Sequence, residues 1–147
     1  MSPMSRSYAI PSAGTISTDL ICTGERDVSK LLVHLVTGPE NSTRGALAFL
    51  VAKTASADGH DVTMFLAGDA VGYLRDATMD AAHGIGTGSI REHYTALAEA
   101  GVPIYASGMS SKARAIDASS LGDKTVELVP PDRLVGLIME TDRVVTY

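Results

Sequence analysis

What this chain has little of narrows its chemistry first. It holds one cysteine, no tryptophan, two phenylalanines and five tyrosines among 147 residues. A lone cysteine cannot close an internal disulfide. So few aromatic rings mean a core built from Leu, Val, Ile and Ala. The net charge is −5, and the basic residues form no block or stripe. That argues against nucleic acid, because neutralising phosphates takes clustered Lys and Arg. No apolar run approaches the roughly 20 residues that cross a bilayer, so no membrane partner is expected. The opening Met1-Ser2-Pro3-Met4-Ser5-Arg6-Ser7-Tyr8 lacks the apolar segment of a secretory signal. His34, His60, His83 and His93 have no ligand spacing and no His-Glu-x-x-His occurs, so no metal is expected. Nucleotide motifs are missing too. No Gly-x-x-x-x-Gly-Lys-Ser/Thr is found, and no strand leads into Gly84-x-Gly86-x-Gly88, which reads as a connection rather than a phosphate cradle. The expectation is a soluble cytoplasmic protein without a cofactor.

What is present reads as an arm followed by one α/β domain. Residues 1–29 are small and polar, with apolar surface only at Ile16 and Leu20-Ile21-Cys22. They read as a loosely ordered arm; a short added strand, or an arm lying on a neighbouring subunit, stays open. Cys22 within it reads as a small hydrophobe rather than a reactive thiol. Residues 30–147 alternate strand and helix patterns. Leu31 to Thr37 is a continuous apolar run, as expected of a strand buried on both faces. Gly38-Pro39 stops it, and Ser42 or Thr43 would cap a helix from about Arg44 to Asp58. That helix is apolar on most sides, so it needs a second burial partner besides a sheet, which suggests another subunit. Asp61 to Ala67 is a second strand. From Ala70 to Gly88 there is no clear period beyond a short helix near Val71-Leu74; a connection that long in a small domain is often functional or mobile. Ser89 and Glu92 fit a capping box for a helix with Ile90, Tyr94, Leu97 and Ala98 on one face, ended by Gly101. Val102 to Ala106 is a third strand, followed by a helix from about Ser111 to Ala118. Thr125 to Val129 reads as a fourth strand. Pro131 starts a helix whose inner face is Leu134, Leu137 and Ile138, and Arg143 to Tyr147 closes the chain as a strand. This order implies a three-layer α/β fold, with a mainly parallel sheet of about five strands and helices on both faces.

In such a sheet a ligand site lies beyond the carboxyl ends of the strands. That rim would gather Glu40, Asn41 and Arg44 from the first strand, Asp69 from the second, and Ser107, Gly108, Met109, Ser110, Ser111, Lys112 and Arg114 from the third. Backbone N–H groups at helix starts, with Arg44, Lys112 and Arg114, would suit a small polar or anionic ligand. The same residues also read as turn and capping groups, with the two later cations on a solvated helix face. Ser107 as a nucleophile would need a base, and His83 could supply one only if its loop folds over the rim. His34, inside a strand, reads as a core histidine with a hydrogen-bond partner and a pKa lowered by burial.

Four stretches carry a family likeness. They are Leu32-Val33-His34-Leu35-Val36-Thr37-Gly38-Pro39-Glu40, Val62 to Val71, Gly101-Val102-Pro103-Ile104-Tyr105-Ala106-Ser107-Gly108-Met109-Ser110-Ser111-Lys112-Ala113-Arg114, and Asp142 to Tyr147. Over about residues 30–147 the chain resembles the DsrE/DsrF-like family. The resemblance implies a compact α/β fold with a parallel sheet, assembled as trimers or hexamers. It also implies sulfur-relay chemistry, in which a cysteine persulfide carries the sulfur. Related sequences place that cysteine after the third strand, where this chain has Ser107 and Ser111, or in the loop that here runs from His83 to Ser89. Neither place holds a cysteine, and a serine hydroxyl cannot carry sulfane sulfur. The leading expectation is an oligomeric member that binds a small ligand or a partner protein at the rim without persulfide chemistry. A sulfur carrier using Cys22, or another enzyme using Ser107 or His83, are the alternatives.

Overall fold

The computed structural model describes residues 27–147, so Cys22 and the arm ahead of Asp27 lie outside the described residues. Five parallel strands form the sheet. They are β1 (Lys30–Leu35), β2 (Asp61–Leu66), β5 (Ile104–Ser107), β6 (Val126–Val129) and β7 (Arg143–Thr146). Their spatial order is β6-β5-β2-β1-β7. A two-stranded hairpin, β3 (His83–Gly84) with β4 (Gly88–Ser89), stands apart from the sheet. The helices are α1 (Ser42–Ala57), α2 (Asp76–Ala81), α3 (Ile90–Glu99), α4 (Gly108–Ala113), α5 (Ala118–Leu121) and α6 (Pro131–Glu140). Two 3-10 turns, Pro39–Asn41 and Gly68–Leu74, follow β1 and β2. The α/β architecture with a five-stranded parallel sheet is thus as the alternation implied.

The two faces of the sheet are covered unequally. Val33 and Leu35 of β1 join Met64 and Leu66 of β2 in the larger core, with Phe49 and Ala52 of α1 and Leu97 of α3. Phe49 meets Tyr73 edge-on, with ring centroids 6.3 Å apart; such a pair adds about 0.5–1.5 kcal/mol beyond area burial. The alternate residues Leu32 and Phe65 face the other way, onto Leu134 and Leu137 of α6. One connection explains this. Strands β1, β2, β5 and β6 step in one direction, and the crossover through α6 then returns the chain to β7 on the far side of β1. Right-handed crossovers place that returning helix on the opposite face.

Several local expectations are corrected. Asn41, not Ser42 or Thr43, caps α1, its Oδ1 accepting from Arg44 N at 3.0 Å. The second burial partner of α1 comes from the same chain, because α1 packs on α3 and on the β3–β4 hairpin as well as on the sheet. The aperiodic stretch from Ala70 to Gly88 is ordered as a 3-10 turn, α2 and a hairpin. The helix expected from Ser111 to Ala118 starts at Gly108, breaks after Ala113 and resumes as α5. Ile138, expected on the inner face of α6, is 41% exposed. His34 has its ring against Phe65, at 6.0 Å between centroids, but its buried Nε2 has no hydrogen-bond partner among the described residues. Burial does lower its pKa, as expected.

Candidate functional site

The rim at the carboxyl ends of the strands is pinched at Gly38. A Cβ built there would lie 2.4 Å from the carbonyl oxygen of Asp69 and 2.7 Å from Glu40 Oε2. The turn after β1 therefore meets the Asp69 backbone at a point with no room for a side chain. Gly38 N donates to Glu40 Oε1 at 2.8 Å, and its carbonyl accepts from the buried Tyr73 hydroxyl at 2.7 Å. Burial, then the charge of Glu40, push the Tyr73 hydroxyl up to about 12, against a lowering by Ser42, so it stays a donor.

After β5 the chain turns straight into α4. Ser107 caps that helix, its Oγ accepting from Ser110 N at 3.2 Å. Ser110 Oγ in turn accepts from Gly68 N at 3.0 Å. Arg114 donates to Asp69 Oδ1 at 2.6 Å and to the Ser110 carbonyl at 3.2 Å. Asp69, Ser107, Ser110 and Arg114 are thereby joined into one bonded set, with Gly108 between them in sequence. Met109 is 68% exposed. Ser111 is fully buried, and its Oγ has no partner among the described residues.

The cations do not converge as the sequence suggested. With α4 running from Gly108 to Ala113, Lys112 lies in its last turn and Arg114 is its C-cap. Cations at that end complement the helix carbonyls, and Arg114 is already bound to Asp69. Arg44 lies exposed near the start of α1, and Asn41 serves as that helix's cap. His83 belongs to the hairpin seated on the start of α1, where Ile85 N donates to Thr43 Oγ1 at 3.0 Å. Its exposed ring places Nδ1 3.3 Å from the Ala81 carbonyl. The only hydrogen bond of Ser107 Oγ among the described residues is to Ser110 N. Among the described residues Ser107 thus has no base in hydrogen-bond reach.

Two features had no sequence signal. One is an ionic knot that ties α2 to α3 and to the residues just before β6. Lys124 has a fully buried side chain whose Nζ meets Asp76 Oδ1 at 2.5 Å, and Arg91 bridges the same Asp76 at 2.6 Å and Asp80 at 2.5 Å. Hydrogen bonds from Lys124 and then Arg91 hold the Asp76 carboxyl below its ordinary range. The partners lie 48 residues apart in the chain, beyond any local pattern. The other is a recess of about 370 Å³ lined by Gly108, Lys112, Ala115, Ile116, Asp117, Ala118 and Leu128. Among the described residues no group of His, Cys, Asp and Glu could hold a metal ion. No described helix is long and apolar enough to cross a membrane.

Similar proteins were found at the level of family and fold. The crystal structure of the ychN protein from E. coli shares 21% sequence identity at a TM-score of 0.67, covering 82% of this chain and 100% of that one. A conserved protein of unknown function from Bacteroides thetaiotaomicron, BT1422, shares 14% identity at a TM-score of 0.57, covering 81% of this chain and 95% of its own. These likenesses establish the fold. No curated protein gives a significant match. A model of the DsrE/DsrF-like family matches residues 30–147, the same span that carries the sheet, the pinch at Gly38 and the turn after β5. The chain belongs to the DsrE/DsrF-like family.

Proposed function

We propose that this protein binds a small ligand or a partner protein at the rim after β5, as a homo-oligomer, without carrying persulfide sulfur there. One observation carries the reading. The side chain at the head of the rim is Ser107, whose hydroxyl caps α4, and residues 27–147 contain no cysteine. Among the described residues the rim is a bonded surface in which the Ser107 and Ser110 hydroxyls are engaged.

A sulfur carrier using Cys22 meets a limit of chain length. Ser29 is tied to the start of β2, its carbonyl accepting from Asp61 N at 3.1 Å. From residue 22 to 29 the chain can span at most about 24 Å. The sheet rises about 23 Å between the level of Ser29 and that of the rim, at roughly 3.3 Å per residue, and β5 lies two strands to the side at about 4.8 Å each. Reaching its own Ser107 would take an almost fully extended segment between Cys22 and Ser29, so the Cys22 carrier stands second.

Oligomerisation is favoured by apolar side chains other than those of α1. Val135, Ile138 and Met139 of α6 are 59%, 41% and 82% exposed, and Val144 of the edge strand β7 is 41% exposed. A trimer or hexamer would cover them. Light scattering at micromolar concentration checks this: the wild type is expected above monomer mass, and Met139→Asp is expected to reduce it. A monomeric wild type removes the oligomer. For the rim, the protein is incubated with a persulfide donor and then an acceptor thiol, with intact mass followed throughout. No transferable sulfur is expected. Stoichiometric sulfur on Cys22 that passes to the acceptor, and is lost in Cys22→Ser, would replace this reading with the carrier.

A further inference from the structure

We infer that the recess beside α4 takes a short aliphatic carboxylate, its tail in the recess and its charge at Lys112. The inference deepens the ligand-binding reading of the rim and rests on it. The recess lies between α4, the turn at 114–117 and the edge strand β6. Ile116, Leu128, Ala115 and Ala118 supply its apolar lining. Apolar walls of this kind favour an alkyl tail, with a gain of roughly fourfold in affinity for each methylene buried.

Two charged side chains line the recess, Lys112 and Asp117, and they are not equivalent. Asp117 Oδ1 accepts from Ser119 N, Ser120 N, Ser119 Oγ and Ser120 Oγ at 3.0, 3.1, 2.5 and 3.2 Å. Its Oδ1 is thus turned into the first turn of α5. The Lys112 side chain makes no hydrogen bond or ion pair among the described residues, while its carbonyl accepts from Ala115 N at 3.2 Å. The neighbouring cation, Arg114, is held by Asp69. Of the two charged side chains that line the recess, the ammonium of Lys112 is thus the one without a partner, and it stands beside apolar side chains. Ala115 supports the same picture. At φ 52 it is the one non-glycine residue with positive φ among those described, at a place after a helix where glycine is the usual choice. Glycine there would relieve strain but remove a methyl group that walls the recess.

The test is a titration of the full chain followed by amide NMR shifts, with butanoate, hexanoate and octanoate, and with hexylammonium and 1-hexanol as controls. Shifts are expected at residues 108–118 and Leu128. Affinity should rise roughly fourfold per methylene until the recess is filled. Lys112→Gln should weaken hexanoate roughly twofold to fivefold, as for an exposed ion pair, and leave 1-hexanol unchanged. Hexylammonium binding as tightly as hexanoate, or affinity independent of chain length, overturns the inference. Sulfate and thiosulfate separate it from the reading beneath it. If they shift Gly68 and Ser110 while alkanoates shift nothing, the carboxylate inference fails and the rim stands. If none of these ligands shifts the rim, small-ligand binding fails with it.

Discussion

The tightest point of the rim is a glycine whose backbone does not need to be glycine. Gly38 has φ −97° and ψ −157°, which any residue adopts. Space is the whole reason for it. In Gly38→Ala the new methyl would sit 2.4 Å from the Asp69 carbonyl oxygen, 2.6 Å from its carbon and 2.7 Å from Glu40 Oε2. Glu40 can swing away at the loss of its bond to Gly38 N. The Asp69 carbonyl cannot move alone, because the turn that bears it is tied to β1. Ala67 N donates to the Leu35 carbonyl at 2.9 Å and Ala70 N to the Val36 carbonyl at 3.2 Å. Overpacking of this kind costs about 1–3 kcal/mol, and disturbing the Tyr73–Gly38 hydrogen bond adds about 0.5–1.5 kcal/mol. A loss of about 2–4 kcal/mol follows, which lowers Tm by about 10 °C in a domain of this size. Gly59→Ala is the matched control. Gly59 has φ +89° and nothing within 4 Å of its added methyl, so only backbone strain applies, about 1 kcal/mol. Thermal melting by circular dichroism, with urea midpoints as a second reading, compares the two. If Gly38→Ala melts no lower than Gly59→Ala, the rim is not pinched as described.

Three further outcomes are expected. Asp76→Ala should lower the urea midpoint more than Lys124→Met does, since the first strands a buried ammonium beside the Leu121 carbonyl, whereas the second leaves a carboxylate that is 57% exposed and still paired with Arg91; the reverse order would refute the asymmetry. The lowered pKa of Asp76 contributes stability that is whole above its ordinary 3.8 and is lost as pH falls through the depressed folded value, so Lys124→Met should flatten the acid limb of a stability–pH curve, and an unaltered limb counts against the knot. His34 is also lowered by burial from 6.5; below that pH the unfolded chain takes the proton first and stability falls, so His34→Phe should remove this decline between pH 6.5 and 5, and an unchanged slope would show that His34 does not cause it.

The strands and their direction were legible because strands buried on both faces read as unbroken apolar runs. Leu31 to Val36 needs no tertiary information to be seen. Helix starts with a local cap were partly legible: Ser89 does accept from Glu92 N. The run after β5 was misjudged because three serines offer several caps of equal merit, and only the packing of Ser110 onto Gly68 selects Ser107. The break at Ala115 carries no glycine to announce it. The extra apolar face of α1 was seen correctly, but a pattern cannot say whether its cover comes from the same chain or another. Here α3 and the hairpin supply it.

By itself the sequence determined the alternating fold, its parallel sheet and the absence of a cysteine from residues 27–147. Those follow from periodicity and residue chemistry, which are local. Tertiary structure alone decided that Arg114 is bound to Asp69 while the Lys112 side chain has no partner among the described residues, that Lys124 lies buried against Asp76, and that Val135, Ile138 and Met139 of α6 are exposed. Each of these depends on residues brought together from distant parts of the chain. Which of these charges meets a partner is set by distances of a few ångströms that no local pattern encodes.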